Sequence, residues 1–141
     1  MGMEIEMFTG LPDGAVFVRE AVFQQEQGFE KEFDDIDSKA VHFIMTDLGK
    51  PVGTCRVYTE DESGVYILGR LAVVREYRDR HVGSALLRAA EEYVISVGGS
   101  ELRLHSQCAA RRFYEANGFA AFGNVDDDEG CPHIWMKKAV I

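Results

Sequence analysis

The chain has 141 residues, of which 46% are hydrophobic and 28% charged, a composition typical of one folded domain and not of a disordered segment. Its formal net charge of −9 excludes nucleic acid as a general partner, and the lack of a long apolar run or a secretory leader argues against membrane association and secretion. We therefore expect a single cytoplasmic domain over residues 1–141, with three cysteines too scattered for a disulfide framework or a metal site.

The first elements are a strand and a helix. Residues 4–8 alternate apolar and acidic side chains, which is typical of an edge strand. Residues 15–25 place apolar side chains at helical intervals after a helix-opening Pro-Asp pair, and Gly28 marks the predicted end of this helix.

A polar and acidic segment follows over residues 28–39. Its three aspartates, Asp34, Asp35 and Asp37, suggest calcium, but the glycine and terminal glutamate of an EF-hand are missing. A solvated loop is therefore predicted. Arg19, on the preceding helix, could bind an acidic acceptor, but we expect it to face solvent, as arginines on helix faces usually do.

Three antiparallel strands are predicted next, over residues 41–47, 52–60 and 65–74. Their connections have turn composition: Leu-Gly-Lys-Pro joins the first pair, and Asp-Glu-Ser-Gly joins the second. The third strand leads into a basic turn and then a helix that begins at Val82, whose apolar side chains recur at helical spacing.

The C-terminal part alternates strands with one further helix. A short strand is predicted over residues 101–105, and a helix over 107–117 ends at an Asn-Gly cap. Closing strands are predicted over 119–123 and 133–138, separated by an acidic turn. The element order predicts a mixed α/β domain.

The turn between the third strand and its helix has the character of an anion site. The first turn of a helix has unpaired N–H groups, and the helix dipole adds partial positive charge there. Gly83 permits close backbone approach, while Arg78 and Arg80 supply two guanidinium groups. Five arginines crowd this stretch of an acidic chain, which favours one compact polyanion as ligand: Arg70, Arg75, Arg78, Arg80 and Arg88.

The sequence Arg-Asp-Arg-His-Val-Gly at residues 78–83 resembles the acyl-CoA pyrophosphate loop of the GCN5-related N-acetyltransferase (GNAT) superfamily, written [Q/R]-x-x-G-x-[G/A]. His81 replaces the first glycine of that pattern. Residues 112–119 resemble the FYxxxGF segment of the same family. Shorter pieces, among them Ser106-Gln107 and Pro132-His133, are similar to the ElaA- and YjcF-like acetyltransferases.

The resemblance implies an α/β (α+β) GNAT fold. This fold has a central mixed, mostly antiparallel sheet with helices on both faces and a splay between strands 4 and 5. It also implies acetyl-CoA as cofactor, with the pantetheine arm along Leu71, Ala72 and Val73. The Val73 N–H would then face the thioester oxygen, where a fixed donor stabilises the developing oxyanion. The pyrophosphate would be held by Arg78, Asp79, Arg80, His81, Val82, Gly83 and Ser84.

Three residues are candidates for proton transfer. Tyr114 matches the family's usual general acid for the leaving thiolate, the alternative being a core tyrosine beside Phe113. The base that accepts the amine proton is assigned to Glu26, at the end of the first helix, or His133, which follows a proline. Each could equally be structural, as a surface carboxylate and a strand-edge histidine.

We therefore predict an N-acetyltransferase that acetylates the primary amine of a small molecule by direct attack in a ternary complex, without a metal. A homodimer is compatible with the sequence. The alternative is a catalytically silent acyl-CoA sensor of the same fold. A hydrolase using Cys108 and His105 is a third possibility, for which the sequence offers no orienting group.

The replacement of glycine by His81 raises a question of backbone geometry. A histidine at positive φ would cost about 1 kcal/mol or more. Because the apolar stripe begins at Val82, we expect position 81 to have right-handed helical φ already.

Overall fold

The computed structural model describes residues 2–30 and 32–141; Lys31, in the predicted 28–39 loop, lies outside the described residues. Within these ranges, seven strands form one sheet in the order β1-β2-β3-β4-β5-β7-β6. The strands are β1 (Met3–Thr9), β2 (Val41–Asp47), β3 (Lys50–Tyr58), β4 (Val65–Val73), β5 (Glu101–Gln107), β6 (Ala120–Asp128) and β7 (Cys131–Ala139). All neighbours pair antiparallel except β4 and β5, which are parallel.

Among the described residues, four α-helices flank the sheet: α1 (Asp13–Arg19), α2 (Ile36–Lys39), α3 (Val82–Ser96) and α4 (Arg111–Ala116). Helix α1 lies against Ile44 of β2, since a Cβ added at Gly14 of this helix would be 3.0 Å from Cδ1 of Ile44. Helix α3 lies against the adjacent Phe43, whose ring packs edge-on to Tyr93 at 5.9 Å. Because neighbouring residues of a strand point to opposite faces, α1 and α3 cover opposite faces of the sheet, as predicted. Every helix in the described part of the chain is too short or too polar to span a lipid bilayer.

The first helix does not stay α-helical. After α1 it continues as a π-helical segment, Glu20–Glu26, in which the Gln27 N–H donates to the Val22 carbonyl five residues earlier. Gly28 follows at φ +79°, in agreement with its predicted role at the helix end. The segment carries Phe23 into the core and places Glu26 beside the basic turn.

Strands β4 and β5 separate midway along their length. Their pairing ends at Leu68 and Leu104, although β4 continues to Val73 and β5 to Gln107. Arg70, just beyond the last pair, has a φ of +54°, and the β3–β4 register shifts at the same level. Such a bulge bends the strand, so the predicted splay has a local backbone cause.

The prediction that Arg19 faces solvent is wrong. Its side chain is only 1% exposed. The Nε atom donates to Glu32 Oε2 at 2.8 Å, and Nη1 donates to Asp37 Oδ1 at 2.7 Å. A guanidinium buried this deeply requires paired carboxylates, and the segment after α1 provides them.

The prediction of a solvated loop over residues 28–39 is wrong for the same reason. Arg56 of β3 donates to Asp34 at 2.6 Å and to Asp37 at 2.9 Å, while Arg70 pairs with Glu32 at 3.0 Å. Glu32 and Asp37 are each 4% exposed. The acidic residues therefore attach this segment to the sheet instead of solvating it.

Candidate active site

The site begins at the N-terminus of α3, where the sequence predicted an anion site. The first described helical hydrogen bond runs from the Ala85 N–H to the His81 carbonyl at 3.0 Å, so the N–H groups of Val82, Gly83 and Ser84 precede the helical hydrogen-bond ladder. There is no acidic residue in this first turn. The end of the helix therefore presents donors and a positive dipole to an incoming anion.

The backbone conformation predicted for His81 is wrong. His81 has φ +61° and ψ +21°, the left-handed conformation, and it is the N-cap residue of α3. Asp79, two residues earlier, also has positive φ, at +69°. The chain must reverse from β4 into a helix that its apolar residues fix at Val82, and left-handed residues supply that turn. Turns that contain such left-handed residues can make a backbone concavity suited to anions.

A groove of about 490 Å³ runs along this loop and is called here the cofactor groove. Its walls include nine of the ten predicted cofactor residues: Leu71, Ala72, Val73, Arg78, Asp79, His81, Val82, Gly83 and Ser84. The tenth, Arg80, instead places its guanidinium over the Tyr77 ring, 4.7 Å from the centroid. Tyr114 also lines the groove.

Gly83 has a packing role that sequence reasoning missed. A Cβ at this position would lie 2.9 Å from Cζ of Phe113 on α4. The glycine therefore permits close packing of α3 and α4, in addition to leaving the first helical turn open.

The backbone of Val73 directs its hydrogen-bonding groups away from β3. The Val74 N–H donates to the Val52 carbonyl of β3 at 2.9 Å. Since successive residues of a strand direct their hydrogen-bonding groups to opposite sides, the Val73 N–H faces the split between β4 and β5. The Val73 carbonyl accepts hydrogen bonds from Arg78 Nε and Nη2, both at 3.0 Å.

Arg78 is held by Glu26, which the sequence proposed as a base. The guanidinium donates to both Glu26 oxygens at 2.7 Å, and Arg75 lies 3.3 Å from the same carboxylate. The hydrogen bond from Arg78 lowers the pKa of Glu26, which makes it a weaker base. The structure thus places Glu26 against Arg78, in the loop that precedes α3.

Tyr114 lies where the cofactor groove meets a second cavity, of about 170 Å³, called the split cavity. This cavity lies between the separated ends of β4 and β5, and its walls include Leu71, Leu104 and His133. The tyrosine is 9% exposed, and its ring packs against Phe113 at 5.1 Å. Burial raises the pKa of Tyr114, so the phenol is protonated at neutral pH.

His133 forms the far wall of the split cavity and is 6% exposed. Its Nδ1 lies 2.8 Å from the carbonyl oxygen of Cys131. A carbonyl only accepts hydrogen bonds, so Nδ1 carries the proton and the neutral ring has its lone pair on Nε2. The ring stacks on His105 with centroids 4.7 Å apart.

His105 is a residue whose surroundings sequence reasoning missed. Its Nε2 lies 2.7 Å from Asp126 of β6, and its ring also stacks on Trp135 at 4.9 Å. No hydrogen bond joins it to Cys108 within the described ranges, so the arrangement does not assemble a Cys–His nucleophile. The sequence shows an acidic run at residues 126–129, but only strand pairing shows that Asp126 and Asp128, on one face of β6, lie beside the histidines.

His105, Asp128 and His133 each offer a ligand atom within 4.8 Å of the others, a spacing compatible with a metal ion.

His133 also lines a third cavity, of about 320 Å³, called the outer cavity. The outer cavity shares Phe23, Arg70 and Gln107 with the split cavity, so the two adjoin. The split cavity therefore adjoins the cofactor groove on one side and the outer cavity on the other, at the splay between β4 and β5.

Comparison with known proteins identifies the family. Residues 11–140 match the acetyltransferase (GNAT) domain family. The N-acetyltransferase YjcF of Bacillus subtilis, itself uncharacterised, is 33% identical over 127 residues, which cover 88% of this chain and 89% of YjcF. A crystal structure of a candidate N-acetyltransferase from Lactobacillus plantarum superposes with a TM-score of 0.91, at 28% identity and full coverage of both chains. Escherichia coli ElaA superposes with a TM-score of 0.85, at 23% identity, covering 96% of this chain and 99% of ElaA.

These matches confirm the resemblance drawn from residues 78–83 and 112–119. The fold agrees as well, with a mostly antiparallel seven-stranded sheet and one parallel pair at the splay. The chain therefore belongs to the GNAT acetyltransferase family, whose members are acyl-CoA-dependent acyltransferases.

Proposed function

We propose that this protein is an acetyl-CoA-dependent N-acetyltransferase that acetylates the primary amine of a small molecule by direct attack in a ternary complex. The observation that carries the proposal is the cavity series through the splay. Tyr114 lies at the junction of the cofactor groove and the split cavity, and His133 lies at the junction of the split and outer cavities. An acid and a base therefore flank the space between a cofactor site and an acceptor site.

The cofactor side supplies binding and charge stabilisation. The free N–H groups at the start of α3 would hold the pyrophosphate, and the pantetheine arm would run along the unpaired edge of Leu71–Val73. The N–H of Val73 would donate to the thioester oxygen as negative charge develops there. One fixed donor of this kind is worth about 3 kcal/mol in comparable sites.

Proton transfer is assigned to the two flanking residues. When the acceptor nitrogen attacks the thioester carbon and the carbon–sulfur bond breaks, Tyr114 gives its proton to the thiolate. Nε2 of His133 accepts the proton that the amine must lose. Glu26 is the weaker candidate for that role, because its carboxylate is already bound by two arginines.

The test is a thiol-release assay with acetyl-CoA across monoamines, diamines, aminosugars and amino acids. Release that depends on an amine supports the proposal, and intersecting initial-rate lines support direct attack. Parallel lines would indicate a covalent acetyl-enzyme and contradict the ternary complex. Tight binding of acetyl-CoA without turnover of any amine would support the acyl-CoA sensor instead.

A further inference from the structure

The outer cavity lies between the segment after the π-helix and the turn joining β6 to β7. These two walls are joined by a hydrogen bond from the Glu30 N–H to the Glu129 carboxylate at 3.2 Å. Phe23 and Phe29, which pack edge-to-face with centroids 6.5 Å apart, form an apolar side of the cavity. The polar side consists of Glu32, Arg70, Gln107, Asp128, Glu129 and His133.

The described polar lining has an excess of negative charge. Arg70 is its one cation, and that guanidinium already pairs with Glu32 at 3.0 Å and with Asp34 at 3.4 Å. None of the ion pairs formed among the described residues includes Asp128 or Glu129. Two carboxylates that share a concave site attract cations more strongly than the same groups on an open surface.

His133 is a second and independent feature that points to a ligand in this cavity. The residue is more than nine-tenths buried, and only its Nδ1 is engaged, by the Cys131 carbonyl. Nε2 has no hydrogen-bond partner in the described part of the chain and is not among the atoms sealed from solvent, so it opens onto the cavities that its ring lines. One ring nitrogen of His133 lies within 4.8 Å of a carboxylate oxygen of Asp128.

We infer that the acceptor is a diamine or polyamine, whose second ammonium group is held by Asp128 and Glu129 while its first amine lies at His133. This inference rests on the proposed N-acetyltransferase function. The methylene chain of such an acceptor packs against Phe23 and Phe29, and the two carboxylates neutralise the end that does not react. An acceptor with a carboxylate at that end meets like charge, so amino acids are poor substrates.

Three acceptors with four carbon atoms each test the inference: 1,4-diaminobutane, butylamine and 4-aminobutyrate. We expect kcat/KM for the diamine to exceed that for butylamine about tenfold or more, and 4-aminobutyrate to be poorer still. In Glu129→Gln, the ratio of diamine to butylamine should fall towards one, mainly through KM. Asp61→Asn, on the exposed β3–β4 turn, is the matched control and should leave that ratio unchanged.

The outcomes separate the two proposals. If no amine supports thiol release, the N-acetyltransferase function itself fails. If all three acceptors react with equal kcat/KM, the function stands and the diamine inference is overturned. Activity that is lost in EDTA and restored by Zn²⁺ would also overturn it, because Asp128 would then be a metal ligand with His105 and His133.

Discussion

Replacing Asp37 with asparagine tests the buried charge network that attaches residues 28–39 to the sheet. The Asp37 carboxylate accepts hydrogen bonds from Arg19 at 2.7 and 3.1 Å and from Arg56 at 2.9 Å. In the network as a whole, three guanidinium groups face three carboxylates. Asp37→Asn therefore leaves three guanidinium groups facing two carboxylates, so that one positive charge of the buried network is uncompensated.

The expected loss follows from the pKa of Asp37. Burial alone would raise this pKa, but the hydrogen bonds and charges of Arg19 and Arg56 outweigh burial and hold it at about 2, against an ordinary 3.8. That difference corresponds to about 2 kcal/mol of stability at neutral pH. Removing the carboxylate also leaves the guanidinium groups less well paired, and breaking a buried pair costs about 3–5 kcal/mol. We therefore expect Asp37→Asn to lower the free energy of unfolding by about 2–5 kcal/mol.

The measurement is urea unfolding at pH 7 and at lower pH, with Asp35→Asn as control. Asp35 is exposed and two residues away, so its substitution should change stability by less than about 0.5 kcal/mol. Because the pKa of Asp37 is depressed on folding, its contribution is present above about pH 4 and is lost as pH falls towards 2. The parent and Asp37→Asn should therefore converge on acidification. Equal stability of the two at pH 7 would refute the network argument.

Three further substitutions test the site. Tyr114→Phe should keep the fold and cofactor affinity and lower turnover roughly 10²-fold, measured by thiol release; unchanged turnover would make Tyr114 a core residue. Glu26→Gln should release Arg78 for the pyrophosphate and tighten acetyl-CoA binding by calorimetry, whereas a loss of kcat with unchanged affinity would make Glu26 the base. His81→Gly relieves a positive φ at the start of α3. The free energy of unfolding should therefore rise by about 0.5–1 kcal/mol, after subtraction of the extra chain entropy that glycine has in the unfolded state. A lower free energy of unfolding in urea would contradict this prediction.

Several regular elements and the anion-site turn before α3 could be predicted because their signals are local. Strand β2 has the predicted bounds of 41–47, and α3 begins at Val82 as the apolar stripe indicated. A strand followed by a basic turn and a helix also predicts an anion site without knowledge of the rest of the fold. The start of a helix depends on a few adjacent residues, which the sequence lists in order.

The parts that could not be predicted depend on contacts between distant residues. Arg19 looks like any charged residue on a helix face until Glu32 and Asp37 are placed beside it, 13 and 18 residues later. The stacking of His105 on His133 depends on β5 pairing with β7, which skips β6. The left-handed conformation of His81 follows from the path of the chain, since the residue type alone disfavours it.

The π-helical segment makes the site sensitive to chain length as well as to side chains. With one residue fewer between Glu20 and Glu26, the segment could form a regular α-helix. The helical residues after the deletion would then be rotated about the helix axis by about 100°. Glu26 would then turn away from Arg78, and Gln27 would lose its hydrogen bond to Gln107. Deletion of Gln24, which lines none of the three cavities, would therefore detach Glu26 from Arg78 and Gln27 from Gln107 without removing any residue that lines the cofactor groove, the split cavity or the outer cavity.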